Sequence, residues 1–233
     1  MDFQFKSTLL EKNHIGVIFC DSKNRLIGFG KKLDQISKKA ISTVIKNDLS
    51  FQNRKSKSFD YTAIHEPDNL KLSKLYVFKL GNFSKYTLRD YQILGGHLFS
   101  LISFYQEDKV GLYLDGIVSK GISTVNVVSE IILGSLLASY KFDKYKTVDK
   151  KEKKTLKVKI YSANHSRIEK NYSNVIAISE GVTMTRNLVT EPPNVMTPLE
   201  IAKNAASLEK YGVEVTILGE KEMTKLGMGS LLS

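Results

Sequence analysis

The sequence predicts an α/β fold in which a mostly parallel or mixed sheet is covered by helices. Short apolar runs rich in β-branched residues alternate along the chain with stretches whose apolar residues recur every three or four positions. Turn residues separate the two kinds of segment, which is the pattern of alternating strands and helices in a layered α/β domain. With 233 residues and 42% hydrophobic content, the chain is long enough to bury one full core and part of a second.

Taken in order, residues 3–7 alternate weakly and residues 14–20 (HIGVIFC) form a compact apolar run, so both read as strands. Lys23, Asn24 and Arg25 supply a turn before the apolar stretch 26–29. Leu33, Ile36, Ala40, Ile41, Val44 and Ile45 mark one face of a helix that ends near Asn47. The polar segment 48–60 reads as a surface connection. Residues 61–65 and 75–80 (LYVFKL) are strands, the second closed by Gly81 and Asn82. A capping pattern at Thr87, Leu88, Arg89 and Asp90 opens a helix that continues through Ile93, Leu94, Leu98, Leu101 and Ile102. Residues 110–114 form a strand, 125–140 a long apolar helix, and 156–161 a last strand. No internal repeat is visible.

The chain changes character at residues 185–198, TRNLVTEPPNVMTP. Before this stretch, Val175, Ile178, Val182, Leu188 and Val189 recur at helical spacing. Pro192 and Pro193 remove two backbone donors and push Glu191 out of the α region, so the chain is expected to leave the helix as an extended elbow. Thr197 can accept the amide of Glu200, Pro198 suits the first helical position, and the Glu200 carboxylate can reach back in a capping box. Such a cap contributes about 1 kcal/mol. A helix over 199–210 then stops at Gly212, a strand follows over 213–218 (VEVTIL), and a short helix over 220–226 ends at Gly227. A lone strand has two unpaired edges. Ordering such a segment costs about 1.5 kcal/mol per residue, so it should be poorly stable unless it packs on the first domain or on a partner polypeptide.

Two blocks carry a resemblance. NLVTEPPNVMTP together with EVTILGEKEMTKLGMGSLL (214–232) resembles the entry into the catalytic domain of the leucyl aminopeptidase (cytosol aminopeptidase) family. LGSLLASYKFDKYKT (133–147) is similar to the segment that closes that family's N-terminal domain. From residue 1 to about 128 the resemblance is one of element order, and Thr190 and Ser230 stand where Asn and Ala are commoner. The residues that match the family's signature are Phe142, Asp143, Tyr145, Asn187, Glu191, Pro192, Pro193, Asn194, Thr197, Pro198, Gly227 and Gly229. The resemblance implies a macro-domain-like N-terminal α/β domain with a mixed sheet over 1–165, a linking helix over 166–191, and the first helix, strand and helix of a second α/β domain, the incomplete start of the peptidase catalytic domain, over 192–233.

For the full-length family the resemblance also implies removal of N-terminal residues from peptides by two divalent cations, zinc or manganese, in a homo-hexamer. The ligands of those cations lie in motifs of the type GKGITFDSGG and NTDAEGR, and neither motif occurs in this sequence. No metal ligand and no catalytic residue of the family can therefore be carried onto this chain. By itself it is expected to hydrolyse nothing, unless a separate catalytic half assembles with it.

The formal net charge of +11 is unevenly spread. Residues 141–170 hold eleven basic and four acidic side chains, whereas from residue 171 onward the balance is −2. A basic patch can track a phosphate backbone, which makes Lys144, Lys146, Lys150, Lys151, Lys153 and Lys154 candidate DNA contacts. The run YKFDKY (140–145) mixes lysines with aromatics, as base stacking requires. The alternatives are an interdomain latch for that run and a solvated surface for the lysines. Lysine outnumbers arginine thirty to five, and arginine is the residue for bidentate reading of phosphate and guanine.

The remaining candidates point to structure. His14, His65, His97 and His165 lack metal-ligand spacing and read as surface or satisfied histidines. Cys20, the single cysteine, reads as a core thiol, excludes an internal disulfide and fits a reducing compartment. Glu107 and Asp108 sit at a helix end beside Lys109 and read as solvated. Gly95 and Gly96 suit close helix packing rather than phosphate binding. A macro-like fold raises ADP-ribose as a ligand by analogy, but no glycine-rich phosphate loop stands out. No apolar run approaches the roughly 20 residues that span a bilayer, and no leader pattern opens the chain. The expected location is the cytoplasm, with no membrane partner.

Overall fold

Among the described residues six strands form one sheet in the order β1-β6-β5-β2-β4-β3. The strands are β1 (Asp2–Lys6), β2 (Asn13–Cys20), β3 (Tyr61–His65), β4 (Leu72–Lys79), β5 (Lys109–Tyr113) and β6 (Lys157–Tyr161). The computed structural model describes residues 1–7, 13–53, 60–105, 109–147 and 155–232. It divides into two units, Met1–Thr183 and Met184–Ser233. In the first unit every strand pairing is parallel except that of β3, which runs antiparallel to β4 at one edge. The central strand β2 sets Val17 against Tyr76 on one side and Leu112 on the other. The sheet is therefore mixed, as expected.

Parallel strands covered on both faces must be apolar on both, and here the two faces feed two cores. Ile15, Val17 and Phe19 of β2 join Val110, Leu112, Val158 and Ile160 on one side. They pack against α4 (Leu88–Tyr105), α5 (Thr124–Ala138) and the first half of α6 (His165–Thr190). Ile18 and Cys20 point the other way, with Leu75, Val77, Tyr113 and Tyr161, toward α1 (Phe29–Ile36) and α2 (Ala40–Asn47). Tyr113 and Tyr161 stack in that second core with ring centroids 4.6 Å apart.

Two local expectations are corrected in this unit. The helix expected to run to Asn47 is two helices, α1 and α2, because Lys38 and Lys39 take positive φ (52° and 64°) between them. Asp34 fixes the break: its carbonyl accepts the Lys39 amide at 2.7 Å and its carboxylate accepts the Ser42 amide at 2.8 Å. The carboxylate thus caps α2 from the preceding helix. The segment 48–60 is not wholly a surface connection, since it holds α3 (Leu49–Asn53), started by the Asp48 carboxylate on the Phe51 amide at 2.9 Å. Phe51 is 1% exposed and anchors that turn in the second core.

The second unit is built differently. After α6 the chain turns instead of running extended: the Pro192 carbonyl accepts the amides of Val195 and Met196, both at 2.9 Å. Pro193 follows that carbonyl, the position where its fixed φ favours a turn. Next come α7 (Pro198–Ala206), a 3-10 turn at Ser207–Tyr211, α8 (Glu220–Lys225) and α9 (Gly229–Leu232). Gly212 and Gly227 take positive φ (82° and 72°) just after the turns they end, as expected of helix stops. Residues 213–218 were expected as a strand and are not one. A strand exists only through ladder hydrogen bonds to a neighbour, and none of the described residues pairs with this stretch.

Candidate functional site

In a sheet of this kind ligands usually bind beyond the carboxyl ends of the strands, where neighbouring connections diverge. Here that point lies between β2 and β5. The chain fills it with its own backbone. Gly28, at φ 51°, lies so close to the Asp115 carbonyl that a Cβ would fall 1.6 Å from that oxygen. Gly116, at φ 84°, faces the backbone of Gly28 in turn. Asp21 at the end of β2 accepts the amides of Lys23 and Arg25 at 2.9 Å and the Arg25 Nε at 2.8 Å. Burial pushes the Asp21 carboxyl up, but these hydrogen bonds and the Arg25 charge outweigh it and hold the group below the usual carboxylate range.

One step along the same edge, the Asp115 carboxylate accepts the Ser162 hydroxyl at 2.5 Å and the Ala163 amide at 2.7 Å. Ser162 accepts the Asn164 amide at 3.1 Å, which sets the entry into α6. The polar groups on this edge thus hold one another and position the long helix. Nothing in the sequence singles out Asp115 and Ser162 as partners. The signal available was the Asp115-Gly116 pair directly after a strand, a turn marker that carries no hint of its partner 47 positions away.

The signature residues fall into three groups by structure. Phe142 and Tyr145 pack ring to ring at 5.9 Å, Lys144 lies 5.5 Å over the Tyr145 ring, and Asp143 pairs with Lys146 at 2.9 Å. Two of the candidate DNA contacts, Lys144 and Lys146, are therefore engaged within their own turn. The other four, Lys150, Lys151, Lys153 and Lys154, lie outside the described residues. The second group builds the elbow: the Asn187 carbonyl accepts the Glu191 amide at 3.1 Å, Pro192, Pro193 and Asn194 make the turn, and Thr197 caps α7 through the Glu200 amide at 3.4 Å. Pro198 occupies the first turn of α7. The Glu200 carboxylate, expected to reach back to Thr197, pairs with Lys203 instead. Gly227 and Gly229 flank the start of α9.

Gly95 and Gly134 lie where α4 and α5 cross; a Cβ on either would fall 2.1 or 1.9 Å from a carbonyl oxygen of the facing helix. Ser135 donates to the Gly95 carbonyl at 2.9 Å across the same contact. Gly95 thus packs the two helices, as its sequence context suggests, whereas at Gly96 an added Cβ would make only ordinary contact with the Ala138 Cβ at 3.8 Å. Cys20 is fully buried, and burial pushes its thiol up to about 12. Glu107 and Asp108 lie outside the described residues. Among the described residues no three His, Cys, Asp or Glu side chains come together so as to hold a metal ion. The donor set that two divalent cations require is not found among them.

Comparison with known proteins decides what this scaffold belongs to. The family model "Cytosol aminopeptidase family, N-terminal domain" matches residues 17–149, more than half of the chain. The chain belongs to the cytosol aminopeptidase family. The model "Cytosol aminopeptidase family, catalytic domain" matches residues 183–233. A probable cytosol aminopeptidase of Rhizobium johnstonii is 40% identical over 182 residues, which cover 76% of this chain and 36% of that one. One of Agrobacterium fabrum is 38% identical over 194 residues, 81% of this chain and 38% of that one. The chain thus spans little more than a third of the length of these relatives. Among solved structures, a tomato leucine aminopeptidase variant superposes with a TM-score of 0.75 at 19% identity, covering 97% of this chain and 46% of its own. The bottromycin maturation enzyme BotP does so with a TM-score of 0.64 at 14% identity, over 92% of this chain and 41% of its own. At these identities the two structures speak for the fold alone, an α/β domain like the N-terminal domain of leucine aminopeptidase. No helix among the described residues is long and apolar enough to cross a membrane.

Proposed function

We propose that this chain is the front portion of a dimetal aminopeptidase of the cytoplasm. Residues 1–165 are its accessory domain, 166–191 its linking helix, and 192–233 the opening of its catalytic domain. The reaction proposed for the whole is hydrolysis of the first peptide bond of a peptide. Two divalent cations, zinc or manganese, activate water and polarise the carbonyl there, within a homo-oligomer. In this reading the ligands and the catalytic side chains belong to polypeptide beyond the part described here. The chain alone supplies scaffold and hydrolyses nothing.

The observation that carries the reading is the order of the two family matches, accessory domain at 17–149 and catalytic domain at 183–233, on a chain that spans 36% of its Rhizobium relative. The geometry is consistent with it. The polar residues at the sheet edge are spent on positioning α6, and the signature residues of the elbow on capping and turning. Purified chain incubated with a leucyl anilide and either zinc or manganese is expected to release no amine above the buffer rate. Metal-dependent release that tracks the chain through purification would refute the inactivity of this portion.

A further inference from the structure

We infer that the outer face of α4 is a contact between two copies of this chain, which pack their α4 helices antiparallel about a twofold axis beside Gly96 and His97. The inference uses α4 alone and stands apart from the reading of the chain as part of a peptidase.

One side of α4 is core: Tyr91, Leu94, Leu98, Leu101 and Ile102 are buried against the sheet and its neighbours. On the opposite side Arg89, Ile93, Gly96, His97, Ser100 and Phe104 recur at helical spacing and form one stripe along the helix. Its two large apolar members are left in water, Ile93 46% and Phe104 79% exposed. The Ser100 hydroxyl donates to the Gly96 carbonyl at 3.1 Å, so Ser100 turns its polar atom back onto its own helix. Gly96 makes a notch at the middle. A glycine inside a helix destabilises it relative to alanine, and no described residue requires this one, since an added Cβ would meet only the Ala138 Cβ at 3.8 Å. A notch flanked by exposed apolar side chains is what a second helix needs for close approach.

The second helix is indicated by the stripe itself, which complements its own reverse. Turned end for end about the midpoint between Gly96 and His97, it sets Arg89 against Phe104 of the other copy, Ile93 against Ser100, and His97 against Gly96. Each pair joins a large side chain to a small one or a guanidinium to an aromatic ring, and the latter is an electrostatic attraction to the ring face. A shallow crossing of about 20° keeps all of these pairs within reach. Charge points to the same occupant. The chain carries +11, but α4 and α5 together hold one arginine against Asp90 and Glu130, a net charge of −1. Two copies that repel over most of their surface can meet on this side. One helix pair buries less than the roughly 1,200 Å² at which stable interfaces begin, so the dimer is weak and its population depends on concentration.

Sedimentation of the full chain from low to high micromolar concentration is the test, with a monomer–dimer equilibrium as the expected result. Phe104→Asp and Arg89→Glu, both at exposed positions, should each weaken dimerisation about tenfold while leaving the far-ultraviolet circular dichroism unchanged. Leu49→Asp, exposed at the start of α3 on the other side of the sheet, should leave dimerisation as it is. Register is read by cross-linking. The double variant Ile93→Cys, Ser100→Cys should form disulfide-linked dimers on mild oxidation, and neither single variant should. The two positions lie about 10 Å apart along one helix, too far for a bridge within a copy, and buried Cys20 does not compete. A monomer at every concentration, a dimer insensitive to Phe104→Asp, or single variants that cross-link as well as the double would each overturn the inference. No metal or peptide enters the experiment, so its outcome is independent of the proposed reaction.

Discussion

Gly134 and Gly181 both sit inside helices, and the same substitution should move them in opposite directions. Replacing a helical glycine by alanine normally stabilises by about 0.5–1 kcal/mol, because the unfolded chain loses freedom. At Gly181 of α6 the new Cβ meets nothing within 4 Å, so Gly181→Ala should gain that amount. At Gly134 it would fall 1.9 Å from the Gln92 carbonyl oxygen, which is backbone and cannot step aside. Gly134→Ala should therefore cost about 1–3 kcal/mol as α4 and α5 are forced apart. Urea titrations followed by far-ultraviolet circular dichroism would show the two midpoints moving in opposite directions, and a shift of equal sign would refute the close crossing. Cys20 gives a second residue-level prediction. Burial pushes its thiol up to about 12, with the charge of Lys79 pulling down and that of Asp21 adding to the rise. Only the thiolate reacts, so an alkylating reagent at pH 8 should leave Cys20 unmodified in native protein and label it fully in denaturant. Fast native labelling would show that this edge of the sheet opens.

At the scale of elements, α4 begins with Asp90 accepting both the amide and the hydroxyl of Thr87 at 2.7 Å. The hydroxyl and then the amide hold the Asp90 carboxyl below its ordinary value. A carboxyl lowered on folding stabilises above its unfolded pKa, about 3.9, and that contribution is lost as pH falls through the lower folded value. Asp90→Ala should thus destabilise by about 1 kcal/mol at neutral pH, with the difference from wild type shrinking toward zero in acid. A difference unchanged down to pH 2 would show that the carboxylate charge is not its source. Caps of this kind were legible in the sequence because they join residues three positions apart. The sheet strands were legible for a related reason: runs such as 15–20 and 75–78 are apolar on both faces where they pair. The break at Lys38 and Lys39 was not legible, since it depends on Asp34 reaching the Ser42 amide and on two lysines in a conformation no spacing announces. α3 was hidden because it is a short helix anchored by the buried Phe51, with Leu49 at its start left exposed. Residues 213–218 have the composition of a strand, but composition cannot supply a neighbour to pair with. At the sheet edge the bond from Ser162 to Asp115 joins residues 47 apart, beyond any local pattern.

At the scale of the molecule, the first unit has what a stable α/β domain needs, with a sheet buried on both faces by helices and two cores. The second has helices without a described buried residue and a strand-like stretch that no described residue pairs with. That contrast matches the family assignment, in which an N-terminal domain is followed by a catalytic domain. In the function proposed above, this polypeptide is scaffold for a peptidase and does not hold its metals. Calorimetric titration of the purified chain with zinc and with manganese is the deciding measurement. The expected result is no binding of two ions per chain at micromolar affinity or tighter. Two equivalents of either metal bound that tightly, with loss on chelation and recovery on readdition, would contradict it.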